Sequence, residues 1–432
     1  MNTVAEVLLW GQRVGVVSWN EEKRRATFGY EPAFAAAGLQ VAPVMMPLGS
    51  EVYTFGRRGV DPDSFRGLPG LLADSLPDKF GNAIIEEWQK SIDRIAPLNP
   101  VEMLCYVGAR GMGALEYKPA LKSGVNDQSE VLHVATLADL ASLALHDAAA
   151  FRARIVDDRR GLHELLKVGT SAGGARAKAI VAYNPTTGEF RSGRIDGLAG
   201  FEYYLIKFDE MADFGASSVS LARVEYAYYR MALDCGITMM ECRLHDEGER
   251  AHFITKRFDR TDNGDKLHLQ TLAAIRHYDY EQPSIYSYGN IFSTMRGMGL
   301  SYADKEQLFR RMVFNAAARN QDDHVKNFSF LMNRQGEWSL SPAYDVTYAY
   351  NPQGDWTAVH QCAINGKRTG ITREDLLAVG RLEEVHKSEK IVEQVWNVVS
   401  QWSTYAAMAN LDVQAMKVIE RVLLPIQRYG KN

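Results

Sequence analysis

The chain has 432 residues, of which 46% are hydrophobic and 24% charged, with 49 Lys and Arg against 53 Asp and Glu. Such a length suits two to three domains of about 150 residues, and the apolar fraction excludes disordered, collagen-like and disulfide-scaffold classes. The near balance of charge excludes a global field that would draw the chain onto nucleic acid or anionic lipid, so any polyanion site has to be local.

The opening MNTVAEVLLW has no basic leader and no small-residue cleavage pattern, and it carries Glu6 within its first apolar run, so it does not read as a signal peptide. No uncharged apolar run reaches the ~18 residues of a membrane span, which argues against a membrane partner. Cys105, Cys235, Cys242 and Cys362 are too scattered for a disulfide framework and form no Cys-x-x-Cys pair. They read as reduced thiols of a cytoplasmic protein.

Taken in chain order, residues 4–18 alternate around Gly11 and Gly15 as a strand pair of a small β-rich module. Residues 59–100 set Pro and Gly around short apolar runs and then open a helix near Asn82, with Glu86 and Glu87 in its early turns. The polar stretch KPALKSGVNDQSEV at 118–131 is the expected domain boundary. Helical spacing follows over 136–158, then a Gly-rich turn at 169–174 and a strand at 177–185. Residues 201–209 and 252–259 read as further strands, with a helix at 221–235 between them. Beyond about residue 300 helices dominate, over 303–319, 388–409 and 412–428. No internal repeat of 20–50 residues is visible.

The densest polar cluster is RNQDDHVKNFSF at 319–330. It reads either as a solvated loop with capping Asp and Asn, or as a loop held in fixed geometry by the apolar Phe328, Phe330 and Leu331 that follow. Asp322 and Asn327 have the spacing by which protein kinases place a catalytic Asp and a metal-binding Asn on one loop. One Asn cannot hold Mg²⁺ against phosphate repulsion, and the cation prefers carboxylate oxygens. Asp345, in EWSLSPAYDVTYAY, supplies a candidate second ligand.

Upstream, GTSAGGARAK at 169–178 brings three glycines and two hydroxyls to the start of a strand. Backbone amides there can form an anion-binding nest, with Lys178 adding charge; an ordinary glycine turn is the plainer reading. Lys207 lies among apolar neighbours in YYLIKFD, a costly place for a charge without a partner. Glu225 on the following helix would serve as one, as in the kinase phosphate clamp. An edge-strand lysine pointing to water is the alternative.

These residues resemble the HipA-like serine/threonine kinases, the kinase components of HipBA-type bacterial toxin–antitoxin systems. The resemblance spans nearly the whole chain and rests on seven motifs in order: GLPGLLADSLPDKFG (67–81), TSAGGARAK (170–178), GFEYYLIKFD (200–209), VEYAYYRMALDCGI (224–237), FITKRFDR (253–260), NQDDHVKNFSF (320–330) and SPAYDV (341–346). It implies an α+β, two-lobed protein-kinase-like fold. The expected parts are an N-terminal β-rich domain (1–118), a mixed sheet and helix ATP lobe with the Gly-rich loop (119–255) and a mostly helical C-terminal lobe with the catalytic loop (256–432).

The resemblance further implies that Asp322 accepts the proton of a substrate hydroxyl, with His324 two residues on where eukaryotic kinases usually carry Lys. Asn327 and Asp345 become Mg²⁺ ligands. Lys207, paired to Glu225, contacts ATP phosphates together with Lys178, Lys326 and the loop glycines Gly169, Gly173 and Gly174. Lys256, Arg257 and Phe258 form the hinge against adenine through backbone groups. Ser171 matches the serine that the family autophosphorylates, where phosphate would eject the loop and switch the kinase off. Implied partners are a HipB-like DNA-binding antitoxin and a protein substrate with Ser or Thr, for which a translation component such as an aminoacyl-tRNA synthetase is a family precedent. DNA would be reached only through the antitoxin. The sequence departs from relatives at Ala177, where Pro or Glu is common, and at Asp323, which doubles the acid of the loop. Two other readings are a catalytically weak co-regulator that acts with the antitoxin in transcriptional autoregulation, and a metal phosphohydrolase using Asp322, Asp323, His324 and Asp345.

Overall fold

The computed structural model describes residues 3–54, 64–91, 96–119, 131–147, 149–151, 154, 165–166, 168–169, 176–193, 198–213, 218–248 and 250–423. Residues 120–130 of the expected boundary, 155–158 of the expected helix, 170–175 of the Gly-rich segment and 424–428 of the last expected helix lie outside this set. Two units make up the fold, and the chain enters each more than once. The first takes Met1–Phe208, Ile254–Gln270 and Leu331–Glu337; the second takes Asp209–Phe253, Thr271–Phe330 and Trp338–Asn432.

In the first unit Trp10 (φ 50°) and Gly11 (φ 80°) turn the chain between the strands Thr3–Leu9 and Gln12–Asn20. Two successive positive φ values give the turn whose twist matches a β-hairpin. The hairpin expected around Gly11 is therefore present, inside a larger antiparallel sheet ordered Val52–Thr54, Arg25–Tyr30, Gln12–Asn20, Thr3–Leu9, Leu115–Lys118. Alternation sends Val7, Val17 and Phe28 into its core, and Val14, at the register shift beside Val7, is fully buried as well.

A second antiparallel set, Phe190–Ser192, Lys178–Tyr183 and Glu202–Lys207, follows in the same unit. Ala179, Val181, Tyr204 and Ile206 share an apolar cluster with Phe80, Ile84 and Trp88 of the helix Lys79–Ser91 and with Leu137 and Leu140 of the helix Val134–His146. Register places Lys178 directly opposite Lys207. The FDR run after the strand is a structural clamp: Asp259 accepts from Arg257 Nε (2.8 Å) and Nη2 (2.6 Å), from Arg260 Nη1 (2.8 Å) and from the Gly113 amide (2.6 Å). Burial alone would raise the carboxyl of Asp259, but the two guanidinium groups outweigh it and hold the group well below the usual carboxylate range.

His268, also in the first unit, donates from Nε2 to the Val41 carbonyl (2.9 Å), and burial pushes its pKa down to about 4. The unfolded chain takes up this proton near pH 6.5, before the folded one does, so stability falls as pH drops from about 6.5 towards 4. A cost on the order of 3 kcal/mol is expected across that window. His268→Gln keeps a donor at the same bond count, and urea melts at pH 7 and 4.5 should show it losing much less stability than the wild type.

In the second unit the helix Leu221–Asp234 is capped by Ser220, whose side chain accepts from the Arg223 amide. Its Ala222 and Tyr229 pack on Cys242 and Phe253 of the strands that follow. Asp209, which ends the YYLIKFD motif, ties this region together: it accepts from Ser220 Oγ (2.8 Å), and its amide donates to His252 Nδ1 (2.9 Å). The helix Tyr302–Ala317 opens with a Ser301/Asp304 capping box. The single helix expected over 388–409 is instead two, Ser388–Val399 and Trp402–Met408. At the break Ser400 Oγ and Gln401 Nε2 both donate to the Asn397 carbonyl, and Trp402 turns inward to donate to the Met416 carbonyl. Side-chain bonding of this kind competes with helix continuation. Among the described residues no helix is long and apolar enough to cross a membrane.

Candidate active site

The loop that carries the polar cluster begins where Tyr302–Ala317 ends. Arg319 takes a left-handed conformation (φ 55°), and Gln321 and Arg319 exchange backbone hydrogen bonds with Ala349. The loop is thereby strapped to the segment that follows Asp345, which settles the choice between a solvated loop and a fixed one. Its two adjacent aspartates then face different ways.

Asp323 is buried, and each of its hydrogen bonds is structural. It accepts from Tyr288 Oη (2.9 Å), His360 Nδ1 (2.9 Å), and the amides of Gln361 (2.7 Å) and Cys362 (3.3 Å). A carboxylate so consumed has no oxygen to offer a substrate, so the phosphohydrolase arrangement that enlisted Asp323 is not what the chain builds. Asp322 keeps a side chain 39% exposed. Its Oδ1 accepts the indole N–H of Trp356 (2.6 Å) and lies 3.6 Å from His324 Nε2. His324 Nδ1 accepts from the Lys326 amide (3.2 Å), which leaves the ring proton on the nitrogen that faces Asp322. Burial pushes the Asp322 carboxyl above its ordinary range, with the His324 ring and the Trp356 indole pulling it back.

Asn327 donates from Nδ2 to the Asp322 carbonyl (2.7 Å). With the amide nitrogen committed, its Oδ1 is the atom turned to other work. Asp345 lines the same pocket as Asp322 and Asn327. It sits in the left-handed region (φ 51°), which Asp tolerates better than most residues. Tyr344 beside it donates to the Lys326 carbonyl (2.6 Å), so this segment and the loop are fastened at a second point. Arg311 forms part of the pocket wall and donates to the Ser341 carbonyl; burial draws its pKa down to about 10.

The donor set, one amide oxygen and one carboxylate converging on a single pocket, fits Mg²⁺, which keeps several waters and takes few protein oxygens beside substrate phosphates. Among the described residues no three His, Cys, Asp or Glu side chains form a complete cage.

The other expected residues lie as follows. In the first unit, Lys207 is buried at the end of its strand. Lys178 is buried too and pairs with Asp78 at 3.2 Å. Asp78 is itself fixed by accepting from the Gly81 amide (2.7 Å). Like charges directly opposite in a sheet are unfavourable, and Asp78 offsets one of the two. Gly169 lies in the apolar cluster, where a Cβ would stand 3.0 Å from Ile84 Cδ1 and 3.1 Å from Phe80 Cε1, so packing accounts for the glycine. Ser171, Gly173 and Gly174 lie outside the described residues. Lys256 pairs with Glu202 (3.1 Å) and Asp262 (3.2 Å), and the Arg257 amide donates to the Tyr203 carbonyl (2.9 Å). Phe258 lies in the turn that follows the strand Arg250–Lys256. In the second unit, Glu225 is buried on its helix, and the Lys326 ammonium lies over the Tyr280 ring at 4.0 Å. Trp356, His360 and Asp78 escaped the sequence reading, since each acts on a residue far along the chain.

Comparison with known proteins gives the family. Residues 170–402, more than half the chain, match the HipA-like C-terminal domain, and residues 5–118 match the HipA N-terminal domain. The chain is 32% identical over 141 residues to "Putative kinase Y4dM" of Sinorhizobium fredii (strain NBRC 101917 / NGR234), a match over 32% of this chain and 33% of that protein. It thus spans about a third of the length of this curated relative. Among solved structures it is similar to the HipA of a Shewanella oneidensis MR-1 HipA, HipB and operator DNA complex, with a TM-score of 0.62 and 16% identity over 96% of this chain and 94% of that one. That likeness shows the two-lobed kinase-like fold. A Helicobacter pylori proinflammatory kinase, CtkA, aligns over 51% of this chain and 90% of its own at 13% identity and a TM-score of 0.32, too low to bear on the fold.

Proposed function

The chain belongs to the HipA-like family, and on that premise we propose that it is an ATP- and Mg²⁺-dependent serine/threonine protein kinase, the toxin of a toxin–antitoxin pair. The observation that carries this reading is the pinning of the Asn327 side chain to the Asp322 carbonyl, which sets an amide oxygen and two carboxylates around one pocket.

In the proposed reaction Asp322 orients a Ser or Thr hydroxyl and accepts its proton as that oxygen bonds the γ-phosphorus and the bond to the ADP oxygen breaks. Bound Mg²⁺, with Asn327 Oδ1 and the Asp345 carboxylate as its protein ligands, would neutralise the triphosphate oxygens. The resemblance assigns the phosphates to Lys207, with Glu225 as its support, and to Lys178. The Arg257 amide is spent on Tyr203. The Lys256 and Phe258 backbone groups are proposed, on the resemblance, to meet adenine. Ser171 is the proposed autophosphorylation site. The HipB of the Shewanella complex is the reason to propose a HipB-like, DNA-binding antitoxin as partner, with DNA reached only through it.

Purified protein incubated with Mg²⁺ and γ-³²P-ATP should acquire label on serine and one added phosphate by intact mass. Ser171→Ala should lose most of that label. Absence of ADP formation with Mg·ATP and protein substrates would remove the reading, and persistent label in Ser171→Ala would move the modification elsewhere.

A further inference from the structure

Trp356 lies well beyond the catalytic-loop motif, and nothing in its own stretch of sequence marks it. Its indole donates to Asp322 Oδ1 at 2.6 Å, and its ring meets His324 edge-on at 6.0 Å between centroids. The His324 Nε2 approach falls on the same oxygen, at 3.6 Å. Among the described residues no donor is bonded to Oδ2. One oxygen of the proposed base is held and the other is open.

The support beneath the tryptophan comes from the neighbouring aspartate. Asp323 accepts from the amides of Gln361 and Cys362, and Gln361 Nε2 donates to the Trp356 carbonyl. The buried aspartate therefore anchors the segment whose tryptophan reaches back to the exposed one. The Asn327 bond to the Asp322 carbonyl fixes the main chain of the same residue. What remains free in Asp322 is rotation of its carboxyl, and the indole removes it.

We propose that Trp356 is a positioning residue that holds Oδ1 of Asp322 and presents Oδ2 to the substrate hydroxyl. This rests on the kinase reading above and deepens it. A donor to a carboxylate forms a short, strong hydrogen bond, and placement errors of about 1 Å at a reacting group can cost 10²-fold in rate. The effect belongs on kcat, because Trp356 is bonded to the base and to none of the groups assigned to the nucleotide.

The experiment measures ADP formation from Mg·ATP by the full-length wild type and by Trp356→Phe and Trp356→His. Phenylalanine keeps a ring and removes the donor; histidine carries Nε2 at the same number of bonds from Cα as indole Nε1. Trp356→Phe should lower kcat by about 10- to 100-fold with KM for ATP little changed, and Trp356→His should recover a substantial part. Unchanged kcat in Trp356→Phe overturns the proposal, and raised kcat overturns it in favour of a tryptophan that blocks the base. Equal losses in both variants, accompanied by lowered melting temperatures, reduce Trp356 to a structural role. A wild type that forms no ADP overturns the kinase reading and this proposal with it, whereas a turning-over wild type beside an unaffected Trp356→Phe overturns this one alone.

Discussion

Asp322→Ala should abolish phosphoryl transfer to serine or threonine while the melting temperature stays close to that of the wild type. The loss follows from position: the carboxylate is partly exposed, lies in the pocket with Asn327 and Asp345, and has an oxygen without a bonded donor. A positioned general base is worth about 10²–10⁴ in rate, and in the proposed reaction the same side chain also orients the nucleophile. The fold should survive because the hydrogen bond that the substitution removes, from the Trp356 indole, sits at a partly solvated site where water can replace the acceptor. Label transfer from γ-³²P-ATP and a thermal melt on the same sample decide it. Wild-type labelling in the variant would refute the assignment.

The adjacent substitution should do nearly the reverse. Asp323→Ala removes an acceptor from four donors at a buried site: Tyr288 Oη, His360 Nδ1 and the amides of Gln361 and Cys362. Stranding buried donors costs about 1–3 kcal/mol each, less where they relax, so a total near 4 kcal/mol is expected. For a unit of this size that means a fall of roughly 10 °C in melting temperature. Activity per folded molecule should drop as well, because Gln361 supports Trp356. Asp323→Asn keeps one acceptor oxygen and should lose only part of the stability. Urea melts of the two variants should rank in that order. A wild-type melt for Asp323→Ala would mean that the four hydrogen bonds do not hold the segment.

This contrast shows what could be read along the chain and what could not. Asp322 and Asn327 were legible because their relation is local, two residues of one loop whose spacing is itself the signal. Asp345 was legible for a similar reason, as an acid eighteen residues after Asn327 in a loop, hairpin, acid order. The spacing to Asn327 picks out Asp322, but nothing local says what Asp323 does: only the packing of Tyr288 and His360 around it makes it a buried brace beside a partly exposed carboxylate. Trp356 is 34 residues from the carboxylate it holds, and no periodicity connects the two.

The fold divides in the same way. The sequence alone determined the hairpin at Gly11, the strands at Lys178 and Lys207, the long helix ahead of the polar loop at 319–330, and the family, because turn residues, alternation and ordered motifs are properties of short stretches. Tertiary structure decided that Trp402, just past the break in the apparent helix over 388–409, turns inward to Met416, that Arg257 and Asp259 form a buried clamp with Gly113, and that Lys178 meets Asp78. Each of those outcomes depends on groups brought together by chain folding. The free energy of burying a charge or a donor is set by whatever partner arrives, which the neighbouring residues in sequence do not specify.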